Sequence, residues 1–381
     1  MGEWKTYRLG EICKNVCSGG TPKSTEPSYY GGNIPWLNTK EVNFCRIDKT
    51  EKIITDSGFQ NSSTKWIEKN SVIVAMYGAT AAKVAVNMIP LTTNQACCNL
   101  TIDPNLADFR FVYFYLCYKY TSLAALANGG AQQNLNAQRI KDFDITLPPL
   151  EEQKRIADIL WSLDDKIELN RRINANLEEQ AQALFRSWFV DFEPFRDGSF
   201  VDSELGKIPQ GWKVGTFQDI ISITSGKRPP LTIDKCTAEA YIPVYGAASI
   251  QAYTTSFLRN EDLLLIGRVG TLGIVQKVTG LSWPSDNTLI ITSPFYEYSY
   301  QILKAIDFNN FNRGSTQPLI TQADIKNQTL LLPPNEVLYQ YEKIAINMFS
   351  LNKKNNAEFK TLSALRDTLL PKLMAGEIAI E

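Results

Sequence analysis

The chain has 381 residues, 39 basic against 40 acidic side chains, seven cysteines and no histidine. Without imidazole, a Ser-His-Asp triad, a Cys-His dyad, an HExxH zinc site and a histidine general base are excluded, so any catalysis would fall to carboxylates, Lys, Tyr or Cys. A formal net charge of -1 argues, taken alone, against a protein that holds nucleic acid by bulk electrostatics.

No stretch approaches 18 consecutive apolar residues, and the opening MGEWKTYRLGEICKN lacks the apolar run of a signal peptide. Both predict a chain that stays in the cytoplasm and off the membrane. The cysteines (Cys13, Cys17, Cys45, Cys97, Cys98, Cys117 and Cys236) form no CxxC pair. They are expected to be reduced, buried small hydrophobes, and no metal site is expected.

Taken in chain order, the elements come twice. WKTYRLGEI from Trp4 lines up with WKVGTFQDI from Trp212, and SGGTP at Ser18 to Pro22 answers SGKRP at Ser225 to Pro229. Ile34-Pro35 matches Ile242-Pro243, each opening a short apolar strand after a polar loop. SVIVAMYGAT, ending at Thr80, is set against DLLLIGRVGT, ending at Thr271, as apolar runs of strand length closed by a glycine turn. TTNQA, ending at Ala96, corresponds to PSDNT, ending at Thr288, and GGAQQNL, ending at Leu135, to RGSTQPL, ending at Leu319. Finally IKDFDITLPPLEEQ matches IKNQTLLLPPNEVL, with Pro148-Pro149 on Pro333-Pro334. The matches are collinear, with an offset that drifts only through loop insertions, and they predict a duplicated domain.

After each Pro-Pro the pattern turns helical. From Leu150 to about Trp188 there is no Gly or Pro, and Ile156, Leu160, Leu163, Ile167, Leu177, Ala181 and Leu184 keep the three-and-four spacing of a coiled-coil seam. Tyr341, Ala345, Met348, Phe359, Leu362 and Leu369 do the same between Asn335 and about Leu370. One offset relates the two helices, so that Leu177 corresponds to Leu362 and Leu184 to Leu369. Neither helix can bury its stripe alone, and the economical solution is an antiparallel coiled coil of the two, with a pseudo-twofold axis relating the halves. Asn170 and Asn355 share a seam position, where buried amides would fix the register. The expected fold class is α+β.

At these residues the chain resembles the specificity subunit of type I restriction-modification systems. The most specific signs are LPPLEEQKRIADIL at Leu147 to Leu160 with the long helix after it, LGKIPQGWKV at Leu205 to Val214, and LLPKLMAGEI at Leu369 to Ile378. The resemblance covers essentially the whole chain. It implies a first target recognition domain over 1–149, a central helix and linker over 150–195, a second recognition domain over 196–333 and a C-terminal helix over 334–381. It also implies a protein without catalysis of its own. It would choose the DNA sequence for two methylation subunits, which bind S-adenosylmethionine, and for restriction subunits, which bind ATP. The chain itself carries no GxxxxGK[ST] loop, no GxGxxG, and no (D/N)PP(Y/F) motif, since LPPL and LPPN lack the acid or amide and the aromatic.

Recognition domains of this kind would present loops to the major groove of double-stranded DNA, with Arg or Lys for guanine and Asn or Gln for adenine. The repeat-matched polar loops supply Ser18, Thr21, Lys23, Asn38, Lys40, Tyr77, Thr80, Lys83, Gln132, Gln133 and Asn134 in the first domain. In the second they supply Ser225, Lys227, Arg228, Tyr245, Arg268, Thr271, Arg313, Thr316 and Gln317. Corresponding loops differ in side chains, which predicts an asymmetric bipartite target whose spacer is set by the coil. Trp161, Phe185, Trp188 and Phe189 either seat the methylation subunits or cover the roots of the recognition domains.

Divided by segment, the charge is +3 over residues 1–149 and -4 over 150–195. An acidic coil beside a mildly basic first domain keeps the coil off the DNA, and near-neutrality argues against binding DNA alone. That disfavours a free-standing duplicated DNA-binding regulator. A coiled-coil scaffold would not need two large, differently decorated domains.

Overall fold

The structure, a computed structural model, describes residues 3–127, 134–269, 273–311, 319–378 and 380. It divides into two compact units: Met1–Asn170 with Ala357–Glu381, and Arg171–Asn356.

The first unit contains β1 (Lys5–Arg8), β2 (Cys13–Ser18), β3 (Tyr30–Leu37), β4 (Cys45–Ile47), β5 (Lys52–Ile54), β6 (Trp66–Ile67), β7 (Val72–Ala75), β8 (Val84–Asn87), β9 (Leu91–Thr93), β10 (Cys97–Ile102) and β11 (Asp144–Leu147). Short helices α1 (Asp56–Gln60), α2 (Phe109–Tyr118), α3 (Tyr120–Ala125) and α4 (Ala137–Lys141) lie between them. The strands form one sheet in the order β2-β10-β7-β8-β4, a second in the order β5-β3-β9-β6, and the pair β1-β11. β7 and β8 are buried at every residue, as their unbroken Val, Ile and Ala runs require of strands covered on both faces. Their core continues into α2, where every residue from Phe111 to Leu116 is buried, as in a helix covered all round.

In the second unit, β12 (Phe200–Ser203) and β13 (Gly206–Pro209) form a hairpin, followed by β14 (Lys213–Thr216), β15 (Ser222–Ser225), β16 (Ile242–Tyr245), β17 (Ile250–Thr254), β18 (Arg259–Asn260), β19 (Leu263–Gly267), β20 (Val275–Val278), β21 (Leu281–Pro284), β22 (Thr288–Thr292) and β23 (Thr329–Leu332). The sheet orders are β15-β22-β19-β20, β17-β16-β21-β18 and β14-β23. Apart from β4 and the β12–β13 hairpin, these repeat the first unit, down to the parallel pairing of β3 with β9 and of β16 with β21. The closing pairs repeat residue for residue: Lys5 faces Leu147 and Lys213 faces Leu332.

Two differences are not visible in the sequence match. β4 has no equivalent, because the chain between β3 and β5 makes an excursion that the tighter β16–β17 connection lacks. The ladder register also moves the Thr80 and Thr271 match by one residue. Met76 N donates to Ala96 O and Arg268 N to Asn287 O, while Met76 O accepts from Leu135 N and Arg268 O from Ile320 N. Arg268 therefore takes the place of Met76, and Val269 that of Tyr77, which bridge Leu319 and Asn134 respectively.

The long helices of the second half of each repeat run over Leu150–Phe189 and Asn335–Met374. With α6 (Tyr296–Ala305) and α7 (Gln322–Lys326) they complete the chain, and we number them α5 and α8. Each begins at its Pro-Pro, whose second carbonyl accepts from Gln153 N at 3.0 Å and from Val337 N at 2.9 Å. Within the first unit the start of α5 runs beside the end of α8, with Arg366 paired to Asp164 at 3.0 Å and Lys166 to Glu358 at 3.7 Å. Within the second unit the end of α5 runs beside the start of α8, where Asn174 accepts from Asn355 Nδ2 at 3.0 Å. The two pairings together make the helices antiparallel, as the seam predicts. Asn170 and Asn355 are buried polar residues; Asn170 Nδ2 donates to Glu358 at 3.0 Å. No helix among the described residues is long and apolar enough to cross a membrane.

Candidate nucleic-acid interface

The polar loops singled out by the repeat gather at equivalent strand ends within each unit. In the first, Ser18 closes β2, and the turn after it crosses the end of the sheet, with Gly20 N donating to Thr93 O at 2.9 Å. In the second, Ser225 closes β15 and Lys227 N donates to Pro284 O at 3.0 Å. A tryptophan indole pins each turn, Trp36 on Gly20 O at 2.9 Å and Trp283 on Lys227 O at 2.8 Å. Gly19 and Gly226 make this crossing possible, because a Cβ at either would run into the backbone oxygen of Thr93 or Ser285.

The candidates differ in what already holds them. In the first unit Lys40 is ion-paired with Glu51, and Thr21 is bonded to Gln95. Lys83 Nζ donates to Asn43 at 2.8 Å, the Thr80 hydroxyl to Thr39 O at 2.9 Å, and Asn38 caps the turn Thr39–Glu41. These side chains already have partners within the unit. Lys23, Tyr77 and Asn134 are exposed, with Asn134 bridged to Tyr77. In the second unit the Ser225 hydroxyl accepts from Gln322 at 3.2 Å, and Tyr245 is half-buried, which pushes its phenol up. Lys227 and Arg228 are exposed and form no ion pair among the described residues. Gln132, Gln133, Thr271, Arg313, Thr316 and Gln317 lie outside the described residues.

The aromatic quartet on α5 packs inward. The Arg46 guanidinium lies 3.6 Å from the centre of the Trp161 ring, which also meets Phe109, Tyr113 and Phe114 edge-on. Phe185, Trp188 and Phe189 pack with Tyr341 and their own unit's core, Phe189 being buried against Tyr298 and Trp212. Phe189 is buried at the domain root, whereas Trp161, Phe185 and Trp188 are half-buried, covering the roots while keeping part of their surface exposed. The cysteines are all free, and burial pushes the Cys97 and Cys98 thiols up to about 12.

Sequence reasoning missed a group of buried ionisable side chains in the second unit. Glu297 is buried and pairs with Lys277 at 2.6 Å. Glu342, on α8, accepts from Glu297 N at 3.2 Å and Tyr298 N at 2.8 Å, and burial raises its carboxyl to about 7. Acids on amphipathic helices read as solvated from sequence; only the sheet packed against them reveals the burial. They satisfy a helix end and belong to the fold.

Two duplicated α+β units, each closing with half of a shared antiparallel helix pair and each presenting polar loops at one sheet end, define a DNA-specificity architecture. The chain belongs to the type I restriction modification DNA specificity domain family, whose sequence profile matches residues 1–179 and 209–365. It is 27% identical over 412 residues to the specificity subunit of the type I restriction enzyme MjaIX of Methanocaldococcus jannaschii, covering 100% of this chain and 94% of that protein. It is 24% identical over 475 residues to the HindI specificity subunit of Haemophilus influenzae, covering 99% and 100%. The crystal structure of a type I restriction-modification S subunit from M. genitalium superposes with a TM-score of 0.70 over 98% of this chain and 96% of that one, at 17% identity, which establishes the shared fold.

Proposed function

We propose that each unit reads one half of an asymmetric bipartite DNA site, within a type I restriction-modification complex for which this chain supplies the sequence specificity. The observation that carries this reading is the pairing of one strand topology with two different sets of loop side chains. SGGTPK in one unit stands where SGKRPP stands in the other, on turns held by an equivalent backbone bond and each pinned by an indole, Trp36 from β3 and Trp283 from β21. Identical scaffolds with unlike tips suit two unlike half-sites.

The recognition domains span 1–149 and 196–333. Their base and phosphate contacts come from the exposed candidates without a side-chain partner among the described residues, Lys23, Tyr77 and Asn134 in one and Lys227 and Arg228 in the other, joined in the second by the half-buried Arg268. The helices over 150–195 and 334–381 set the spacer. A helix of 40 residues is about 60 Å long, so a change of one turn moves the half-sites apart by about 5 Å and leaves their sequences alone. Two methylation subunits and the restriction subunits supply chemistry in the cytoplasm, and the chain's near-neutral charge fits a protein that meets DNA as part of that assembly.

Co-purification with a methylation subunit, followed by adenine methylation of a bipartite motif only when both chains are present, is the expected result. Tight binding of one DNA site by the isolated chain at physiological salt would favour a free regulator instead.

A further inference from the structure

Arg268 sits at the end of β19, and its backbone is fixed on both sides. Its N–H donates to Asn287 O and its carbonyl accepts from Ile320 N, each at 2.9 Å. The next residue, Val269, bridges Leu319. The main chain at Arg268 is thus held by two neighbouring segments at once. The guanidinium is not. Nε is sealed from solvent without a hydrogen-bond acceptor, and the side chain, half-buried as a whole, makes no hydrogen bond or ion pair with the described residues. Asp286, the acid of the adjoining turn, forms no ion pair with it. On the other side of the same sheet end, Gly226 N bonds to Thr288 O, which brings the Lys227-Arg228 turn alongside. Three cations therefore share one sheet end with no acid paired to them among the described residues. At the equivalent ladder position the first unit has Met76, buried in its core.

We propose that Arg268 is a guanine-reading residue of the second unit. The assignment rests on the reading of that unit as a DNA-recognition domain, and it deepens that reading by naming the base. A guanidinium carried on a backbone fixed at the sheet end can match the O6 and N7 acceptors of guanine in the major groove with a pair of N–H donors. A guanidinium with no acceptor among the described residues gives up no protein hydrogen bond when it pairs with the base. Lys227 and Arg228, exposed on the neighbouring turn, suit the flanking phosphates. Because Met76 closes the same position in the first unit, that unit reads no base from this point of its sheet.

The test is selection of bound DNA from a randomised library by the complex of this chain with its methylation subunit. Binding is read directly, so the result does not depend on turnover. The wild-type complex is expected to enrich a bipartite motif with a guanine in the half-site of the second unit. Arg268→Ala should lower the guanine preference at one position by at least about tenfold, within the range of a bidentate base contact. Arg268→Gln should move it toward adenine, with every other position unchanged and the melting temperature unaltered. Uniformly weaker binding with the motif intact would overturn the assignment and make Arg268 a phosphate contact. Loss of preference across the whole half-site would overturn it in favour of a loop-shaping role. A wild-type complex that enriches no motif would overturn the specificity reading itself, and this assignment with it.

Discussion

The N-termini of α2 and α6 show how two units of one topology solve one problem differently. In the first unit the cap is local: Asp108 precedes α2 and its carboxylate accepts from Arg110 N at 2.8 Å. In the second unit the same position is Phe295, which has no capping side chain, and the acceptor comes from Glu342 on α8. The residue corresponding to Glu342 on α5 is Ala157, fully buried. The repeat therefore fixes what the backbone demands and leaves open which residue meets the demand. The sheet ends follow the same rule, with Met76 and Arg268 at one ladder position. A scaffold that tolerates such exchanges can change its loops without changing its fold.

The strongest test of that separation is geometric. Inserting one heptad at matched points of α5 and α8 should lengthen the spacer by about three base pairs, from 1.5 Å per helical residue and 3.4 Å per base pair. Mapping the methylated motif of the assembled complex checks this, and altered half-sites would break the division between scaffold and reader. Next in size, Gly19→Val and Gly226→Val should each destabilise the chain by roughly 3 kcal/mol or more, because both Cβ atoms meet backbone that cannot give way. Thermal denaturation of the two variants should give similar losses if the turns are truly equivalent.

The two capping solutions also predict different pH behaviour. Glu342 has a folded pKa near 7, raised by burial from 4.5, so the folded chain holds a proton that the unfolded chain has released between those values. Stability should accordingly fall as pH rises from about 4.5 to 7, by something on the order of 2 kcal/mol. Glu297 is shifted in the same direction, chiefly by burial. Glu342→Gln keeps an acceptor for the α6 cap and should flatten much of this slope, measured as urea midpoints across pH; an unchanged slope would place the titration elsewhere. The smallest contrast lies between two ion pairs of the long helices, Arg366 of α8 with Asp164 of α5 and Lys304 of α6 with Glu178 of α5. Arg366→Ala removes the partner of the largely buried Asp164 and should cost about 1–2 kcal/mol, whereas Lys304→Ala, from the more exposed 3.8 Å pair with Glu178, should cost less than about 0.5 kcal/mol. Equal costs would show that the two pairings are held alike.

Much of this fold can be read from the residues because its signals are periodic. The seam from Ile156 to Leu184 and the Pro-Pro helix starts survive any local rearrangement, and the structure places both helices within a few residues of their expected ends. The slip between Met76 and Tyr77 could not be read. Register is set by the neighbouring strand, and apolar runs buried on both faces, such as VIVA and LLLI, carry no alternation to betray a shift of one. β4 is invisible for a related reason: three residues, Cys45 to Ile47, are too short for a pattern. At the candidate interface, residue type alone did not separate Lys40, tied to Glu51, from Arg268, whose side chain has no partner among the described residues. That distinction depends on which side chains the fold brings near.

The central claim is that each unit specifies its own half-site. It is tested most directly by replacing residues 196–333 with the second recognition domain of another family member and mapping the methylated motif of the chimeric complex. The account predicts that the half-site of the first unit is retained and the other exchanged. A motif altered in both halves, or in neither, would contradict it.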